Sequence, residues 1–437
     1  MSDSRAPETP LPLAFDGRPL AGWLGRHRRA LILAGLTLVA YTAALNRVQA
    51  LLWAVAALFL ATLAAGVVWP HWLVRRLAAE RSGPVRAAEG EPLQLTVTVH
   101  NRGLLPRFMV ELVDRLPFVG AAAGAPLAEV VLGQVAWVPG GGTRQFSVTL
   151  QAEKRGLYQL GPVGLASSFP LGLAEARQGR NAGLTSLVIY PRIFPIVALP
   201  LRGTPTLIHR GALQLPEGAG SSEFCGLREY RRGDNPRHIH WPSSARNAEL
   251  MVREFEPLAS ASLCLVLDCQ AGSELGRGRD SSFEVAVRIA ASLARYATGN
   301  GLPVRLLGAG RQPLEIGAGC GELHFQEMLD ALAVVAADGD TPYAQVLEQA
   351  AAALTPGETV ISFHNEPAVP GGGQATLGAL AQLRQRGAHL LALRFVPESF
   401  TGATAWGSDG LTGGLMELGA RVLPVRRGDD LLALFNP

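Results

Sequence analysis

Residues 262–268 read SLCLVLD, an unbroken apolar run that closes on an acid. Continuous rather than alternating hydrophobicity predicts a strand buried on both faces, as in the middle of a parallel sheet. Toward the C-terminus, residues 283–296 (FEVAVRIAASLARY) carry apolar side chains at helical spacing, with Ser281 or Ser282 as the N-cap. A strand at 303–308, helices at 322–336 and 343–354, and a strand at 359–363 follow. A helix at 377–386, strands at 388–395 and 421–425, and a terminal helix complete the pattern. Strand and helix alternate, so residues 257–437 are expected to form a doubly wound α/β domain. In such folds ligands sit beyond the carboxyl ends of the strands, which directs attention to Asp268, Gly308 and His364.

On the N-terminal side the pattern changes. Residues 92–100 (PLQLTVTVH) alternate apolar and polar side chains, and strand-like runs recur at 108–116, 128–138 and 144–151 with Gly/Pro-rich turns between them. Short strands without a helical period predict a β-sandwich over residues 84–200, continued by Arg155-Gly-x-Tyr158 and by residues 169–173 (FPLGL). Nothing in this stretch offers catalytic chemistry, so a spacer or interaction module is the expectation.

Further upstream, residues 30–69 contain one charge, Arg47, next to Asn46 at the place a tight turn would occupy. A single helix of that length would run to roughly 60 Å, about twice the hydrocarbon thickness of a bilayer. Two spans, 30–45 and 48–69, fit better, forming a transmembrane helical hairpin. A cleaved signal peptide would show one shorter apolar core, not a doubled span. Arg26, Arg28 and Arg29 precede the pair, and Arg75, Arg76 and Arg81 follow it. The positive-inside rule then places both ends in the cytoplasm, residues 1–29 forming a cytoplasmic tail, with Trp53, Trp69 and Trp72 at the interfaces.

Composition agrees. Of 437 residues 48% are hydrophobic, and the mean hydropathy is +0.20. The net charge of +3, without an aromatic-interleaved basic run, points away from nucleic acid. Cys225, Cys264, Cys269 and Cys320 form no C-x-x-C pair and no zinc spacing, as expected of reduced cysteines in a cytosolic compartment. No phosphate-binding or dinucleotide glycine motif is present.

Between the two domains, at residues 221–256, lies the most polar segment. It supplies Arg228, Tyr230, Gly233, Asp234, Arg237, Ile239, Trp241, Ser244, Ala245 and Arg246, then Leu250, Val252, Phe255 and Glu256. This spacing resembles the signature of the bacterial domain-of-unknown-function 58 family, R-x-Y-x-x-G-D-x-x-R-x-I-x-W-x-x-S-A-R followed by L-x-V-x-x-F-E. The resemblance extends to the layout of two spans, a β domain and a von Willebrand factor A-like domain. It implies partnership with a MoxR-type AAA+ ATPase, and work with other membrane or envelope proteins of the same gene cluster. Three roles for the motif stay open. Asp234 paired with Arg237 or Arg246 over a packed Trp241 would lock the domain junction. The same residues, with Arg228, Tyr230, His240, Ser244 and Glu256, would serve as a docking face. Asp234 with His238 or His240, beside Arg246, would be an acid–base pair, although the only hydroxyls on offer are Ser243 and Ser244, outside any triad context.

The same resemblance implies a Mg²⁺ site built from D-x-S-x-S, a distal Thr and a second Asp, all hard oxygen donors. Asp268 keeps the first position and Thr341 matches the distal one, whereas Gln270 and Gly272 replace the serines and His364-Asn365 stands near the second Asp. Asp340, Ser273 or Asn365 are the available substitutes, and the expectation is a degenerate site with no cofactor. The expected protein is a two-pass inner-membrane adaptor or chaperone-like assembly factor, not an enzyme, with both termini cytoplasmic. A membrane hydrolase or transferase using Asp234, His238, His240 and Arg246, and a structural envelope scaffold, are its rivals.

Overall fold

The computed structural model describes residues 19–47, 49–119, 129–178, 185–197, 199, 224–229, 239–247, 249–255, 262–355, 357–365, 372–402 and 410–436. It opens with α1 (Pro19–Arg47) and α2 (Ala50–Val74), which pack side by side. Both are long and apolar enough to cross a membrane, over Arg28–Asn46 and Ala50–Val74. The break between them falls where Asn46 and Arg47 forecast a turn. Tyr41 and Trp53 meet edge to face across the pair, 5.7 Å between centroids.

Among the described residues ten strands follow: β1 (Leu77–Ser82), β2 (Arg86–Ala88), β3 (Pro92–Asn101), β4 (Arg107–Asp114), β5 (Val130–Val138), β6 (Thr143–Gln151), β7 (Gly156–Leu160), β8 (Gly164–Ser167), β9 (Ala176–Gln178) and β10 (Thr185–Tyr190). They form three sheets, ordered β1-β3-β6, β2-β10-β7 and β5-β4-β8-β9. One apolar core serves all three, because inward positions of β1, β3, β4, β5, β7, β8 and β10 cluster together. The alternation in β3 appears directly, with Leu93, Leu95, Val97 and Val99 buried. β1 pairs with β3 antiparallel from Leu77, so this region starts ahead of residue 84, the boundary expected from the sequence.

The signature segment contributes β11 (Phe224–Glu229), α3 (Trp241–Asn247) and β12 (Met251–Phe255), the two strands pairing antiparallel. The α/β domain then runs β13 (Leu263–Val266), α4 (Ser282–Gly299), β14 (Val304–Ala309), β15 (Pro313–Gly319), α5 (Gly321–Val334), α6 (Tyr343–Ala352), β16 (Thr359–Asn365), α7 (Gly372–Gln385), β17 (His389–Phe395), α8 (Pro397–Thr401), α9 (Gly410–Glu417), β18 (Arg421–Val425) and α10 (Leu431–Phe435). Its sheet order is β15-β14-β13-β16-β17-β18, parallel except for the edge strand β15. Separate apolar cores cover the two faces, one including α4 and α5, the other α6, α7 and α9. SLCLVLD is therefore buried on both sides, as its unbroken hydrophobicity requires. Ser281 is the N-cap of α4, its Oγ accepting the Glu284 N–H.

The β region is clamped to the outer face of α4 and α5. Glu89 takes a two-point ion pair from Arg288, at 2.6 and 3.0 Å. Arg155 donates to Glu284 at 2.7 and 3.4 Å and to the Leu332 carbonyl at 2.6 Å. Tyr190 donates to Asp330 at 2.6 Å. Glu89, Arg155, Glu284 and Arg288 are all buried. Gly156 explains how Arg155 is aimed. A Cβ there would sit 3.1 Å from the Tyr158 ring; without one, the ring folds back and its hydroxyl donates to the carbonyls of Lys154 and Arg155. One of the three roles left open by the sequence placed Asp234 over a packed Trp241 at the junction; Asp234 lies outside the described residues. The described clamp uses other residues, and Trp241 is 65% exposed instead of packed beneath a carboxylate pair.

Candidate functional site

The sheet order changes direction at β13, from which β14 lies on one side and β16 on the other. A crevice lies at the carboxyl ends of β13 and β16, the place where ligands bind in such sheets. The crevice measures about 310 Å³, and its lining includes Asp268, Gln270, Ser273, Tyr343, His364 and Asn365. Tyr343, the first residue of α6, bolts it together: its hydroxyl donates to the Val266 carbonyl at 2.7 Å and accepts the Phe363 N–H at 3.1 Å. Gln270 Oε1 accepts the Tyr343 N–H at 3.3 Å, filling a bond that a helix N-terminus leaves open.

Asp268 is 7% exposed and accepts the Gln270 N–H at 3.1 Å. Burial raises its pKa to about 6, against the opposing pull of hydrogen bonds from Gln270, Ser273 and Asn365. Asn365 is 6% exposed, and its Oδ1 is buried without a hydrogen-bond partner. His364 is buried beside them, Nε2 2.7 Å from Ser362 Oγ, with burial lowering its pKa to about 4. The imidazole is therefore neutral near pH 7. Gly308 is not part of this lining; a Cβ on it would approach Cys269 Sγ at 3.0 Å. Cys264 and Cys269 are free and buried, as small hydrophobes, and burial pushes both thiols up to about 12.

The described donor set does not suit Mg²⁺. Among the described residues no group of three or more His, Cys, Asp or Glu side chains is placed to hold a metal ion. Among the described residues Asp268 is the one carboxylate lining the crevice, and Thr341 is outside that lining. Octahedral coordination by hard oxygens needs more than this offers.

Part of the signature motif is placed. Arg228 pairs with Val252 between β11 and β12, and Arg246 lies in α3. Tyr230, Gly233, Asp234, Arg237, His238 and Glu256 lie outside the described residues. Ser244 works as a staple: its Oγ donates to the His240 carbonyl at 3.0 Å and accepts the Met251 N–H at 2.8 Å, fastening α3 to β12. His240 Nδ1 lies 2.8 Å from Ser243 Oγ and accepts the Ser243 N–H at 3.3 Å, the arrangement of a helix cap one turn long.

With this geometry in place, comparison with known proteins is informative. Residues 226–388 match the family described as protein of unknown function DUF58. The matched stretch holds most of the signature hairpin and of the crevice lining, and ends just before β17. The uncharacterized protein YeaD of Bacillus subtilis (strain 168) is 32% identical over 122 residues, 28% of this chain and 29% of that protein. The chain thus spans under a third of that relative's length. Among solved structures, a β-glucosidase from Listeria innocua in complex with glucose aligns at 14% identity over 26% of this chain and 16% of its own, with a TM-score of 0.19. A CARDB domain from Pyrococcus furiosus in complex with di-metal ions aligns at 12% identity over 26% and 86%, also at 0.19. Scores of this size carry no argument about fold or activity.

The resemblance to DUF58 was legible from residues 228–256. Asn365 was weighed only as a substitute metal ligand, and its unpartnered oxygen has no sequence signal, because pairing is decided by what folds around it.

Proposed function

We propose that this DUF58 protein is a membrane-anchored, non-enzymatic adaptor or assembly factor that docks a partner protein at the crevice between β13 and β16. On this reading α1 and α2 form a two-pass anchor in a bacterial inner membrane with both termini cytoplasmic. The β region is a sandwich-like spacer, and the α/β domain is a degenerate von Willebrand A-like module. The partner is a MoxR-type AAA+ ATPase, which would act on clients or envelope proteins brought to it. The observation that carries the reading is the crevice itself: the Asn365 Oδ1 is a buried acceptor without a hydrogen-bond partner, Asp268 is buried beside it with no cation among its described partners, and the described lining residues form no nucleophile–base pair. Such groups are satisfied when a donor arrives from outside. Exposed Trp241 supports a second contact, since tryptophan is enriched where partners bind.

The test is co-purification of the detergent-solubilised full chain with a co-encoded MoxR-type ATPase, with and without ATP and Mg²⁺. Capture by the wild-type chain that weakens at least several-fold in Asp268→Ala is expected. Absence of capture under every nucleotide condition counts against the adaptor.

A further inference from the structure

The helical hairpin and the β region touch at more than the connecting chain. α2 packs against β4, β8 and β9, and its last residues, Leu73 and Val74, are buried. The loop between β8 and β9 reaches back along the hairpin. A Cβ on Gly66 would collide with the Leu173 side chain, and one on Gly172 would lie 3.7 Å from the Arg29 guanidinium. Gly66 precedes Trp69 by three residues, about 5 Å along the axis, so Leu173 meets α2 inside its apolar stretch.

The loop is pinned. Ser167 Oγ donates to the Met109 carbonyl at 3.1 Å and accepts the Phe169 N–H at 3.4 Å, and the Gly172 N–H donates to the Ser168 carbonyl at 2.7 Å. Its tip is apolar and open: Phe169 is 36% and Leu171 44% exposed, with Pro170 exposed between them. Arg28, Arg29, Arg75 and Arg76 are exposed at the same end of the hairpin. There the Arg107 guanidinium stacks 3.7 Å over the Trp72 ring. An apolar tip held beside a spanning helix, amid arginines and interfacial tryptophans, matches the chemistry of the boundary between acyl chains and anionic headgroups.

We propose that residues 169–171 are a lipid-contacting foot that seats the β region on the cytoplasmic leaflet and fixes how the crevice is held above it. This rests on the reading of α1 and α2 as membrane spans. The foot inserts Phe169 and Leu171 at the acyl boundary while Arg29, Arg75 and Arg76 meet lipid phosphates.

The experiment places a nitroxide spin label, one site at a time, on the full chain in vesicles of mixed zwitterionic and anionic phospholipid. Cys225→Ser and Cys320→Ser provide the background, the buried Cys264 and Cys269 being retained. Labels at Leu171→Cys and Phe169→Cys report the foot. Leu58→Cys, 64% exposed in α2, reports the span, and Leu323→Cys, 90% exposed in α5, reports water. The readout is the ratio of collision with oxygen to collision with a water-soluble nickel chelate. Ratios at 171 and 169 several-fold above that at 323, and approaching that at 58, are expected. A lipid-like ratio at 58 with water-like ratios at 171 and 169 overturns the foot and leaves the anchor standing. A water-like ratio at 58 overturns both.

Discussion

Two regions of the α/β domain bury charge, and they do it in opposite ways. At the seam with the β region, Glu89 faces Arg288 and Glu284 faces Arg155, each carboxylate held at two points. At the crevice, Asp268 is equally buried but its described partners are neutral: a backbone N–H, a hydroxyl and an amide. The consequence appears in its protonation, since burial without a cation lifts the carboxyl to about 6. A buried charge that is fully paired holds parts of a fold together. One left short of partners costs stability and is retained where something else binds. On the adaptor proposal the seam is structure and the crevice a site.

The comparison breaks most visibly at the seam. Arg155→Ala leaves Glu284 buried without its partner, and a loss of about 3–5 kcal/mol is expected from chemical denaturation of the solubilised chain. Replacing both partners, Arg155→Met with Glu284→Leu, should recover most of that loss, because an apolar pair removes both desolvation costs. Asp268→Asn should move the other way, stabilising by about 3 kcal/mol at pH 8, the worth of a two-unit shift. Trp241→Ala should leave stability within about 0.5 kcal/mol, as surface substitutions do, while weakening capture of the partner in the co-purification assay. A large destabilisation in Trp241→Ala would return the signature motif to the junction role.

How far the sequence carried depends on how local each interaction is. β3, β6, β16, β17 and β18 were legible within a residue or two, because alternation or an unbroken apolar run is written in consecutive positions. The helical pair was legible from a 40-residue stretch with one charge. The edge strand β15 was missed; its residues, PLEIGAG, contain glycine and proline that weaken any strand pattern. The seam was out of reach. Arg155 and Glu284 are 129 residues apart and Glu89 and Arg288 are 199 apart, so nothing in either neighbourhood announces the other. Asp268 was found because it ends a buried strand of a doubly wound sheet. That its described partners are neutral depends on Gln270 and Asn365, whose side chains turn to the helix terminus and to the carboxyl only after folding.

On the adaptor proposal Asp268 is held at a cost to stability because it serves a site. Comparing the unfolding free energy of wild type and Asp268→Asn from pH 4 to pH 8 tests it directly. In the folded chain the carboxyl is raised from an ordinary 3.8 to about 6. The protonated form is therefore favoured by folding, and that advantage is lost as pH rises through 6. His364, with its lowered pKa, titrates in both proteins and drops out of the difference. Near-equal stability is expected at pH 4, with a gap favouring Asp268→Asn that opens between pH 4 and pH 6 and stays constant above. An Asp268→Asn chain less stable than wild type at pH 8 would show a carboxylate the fold depends on, and would contradict the claim.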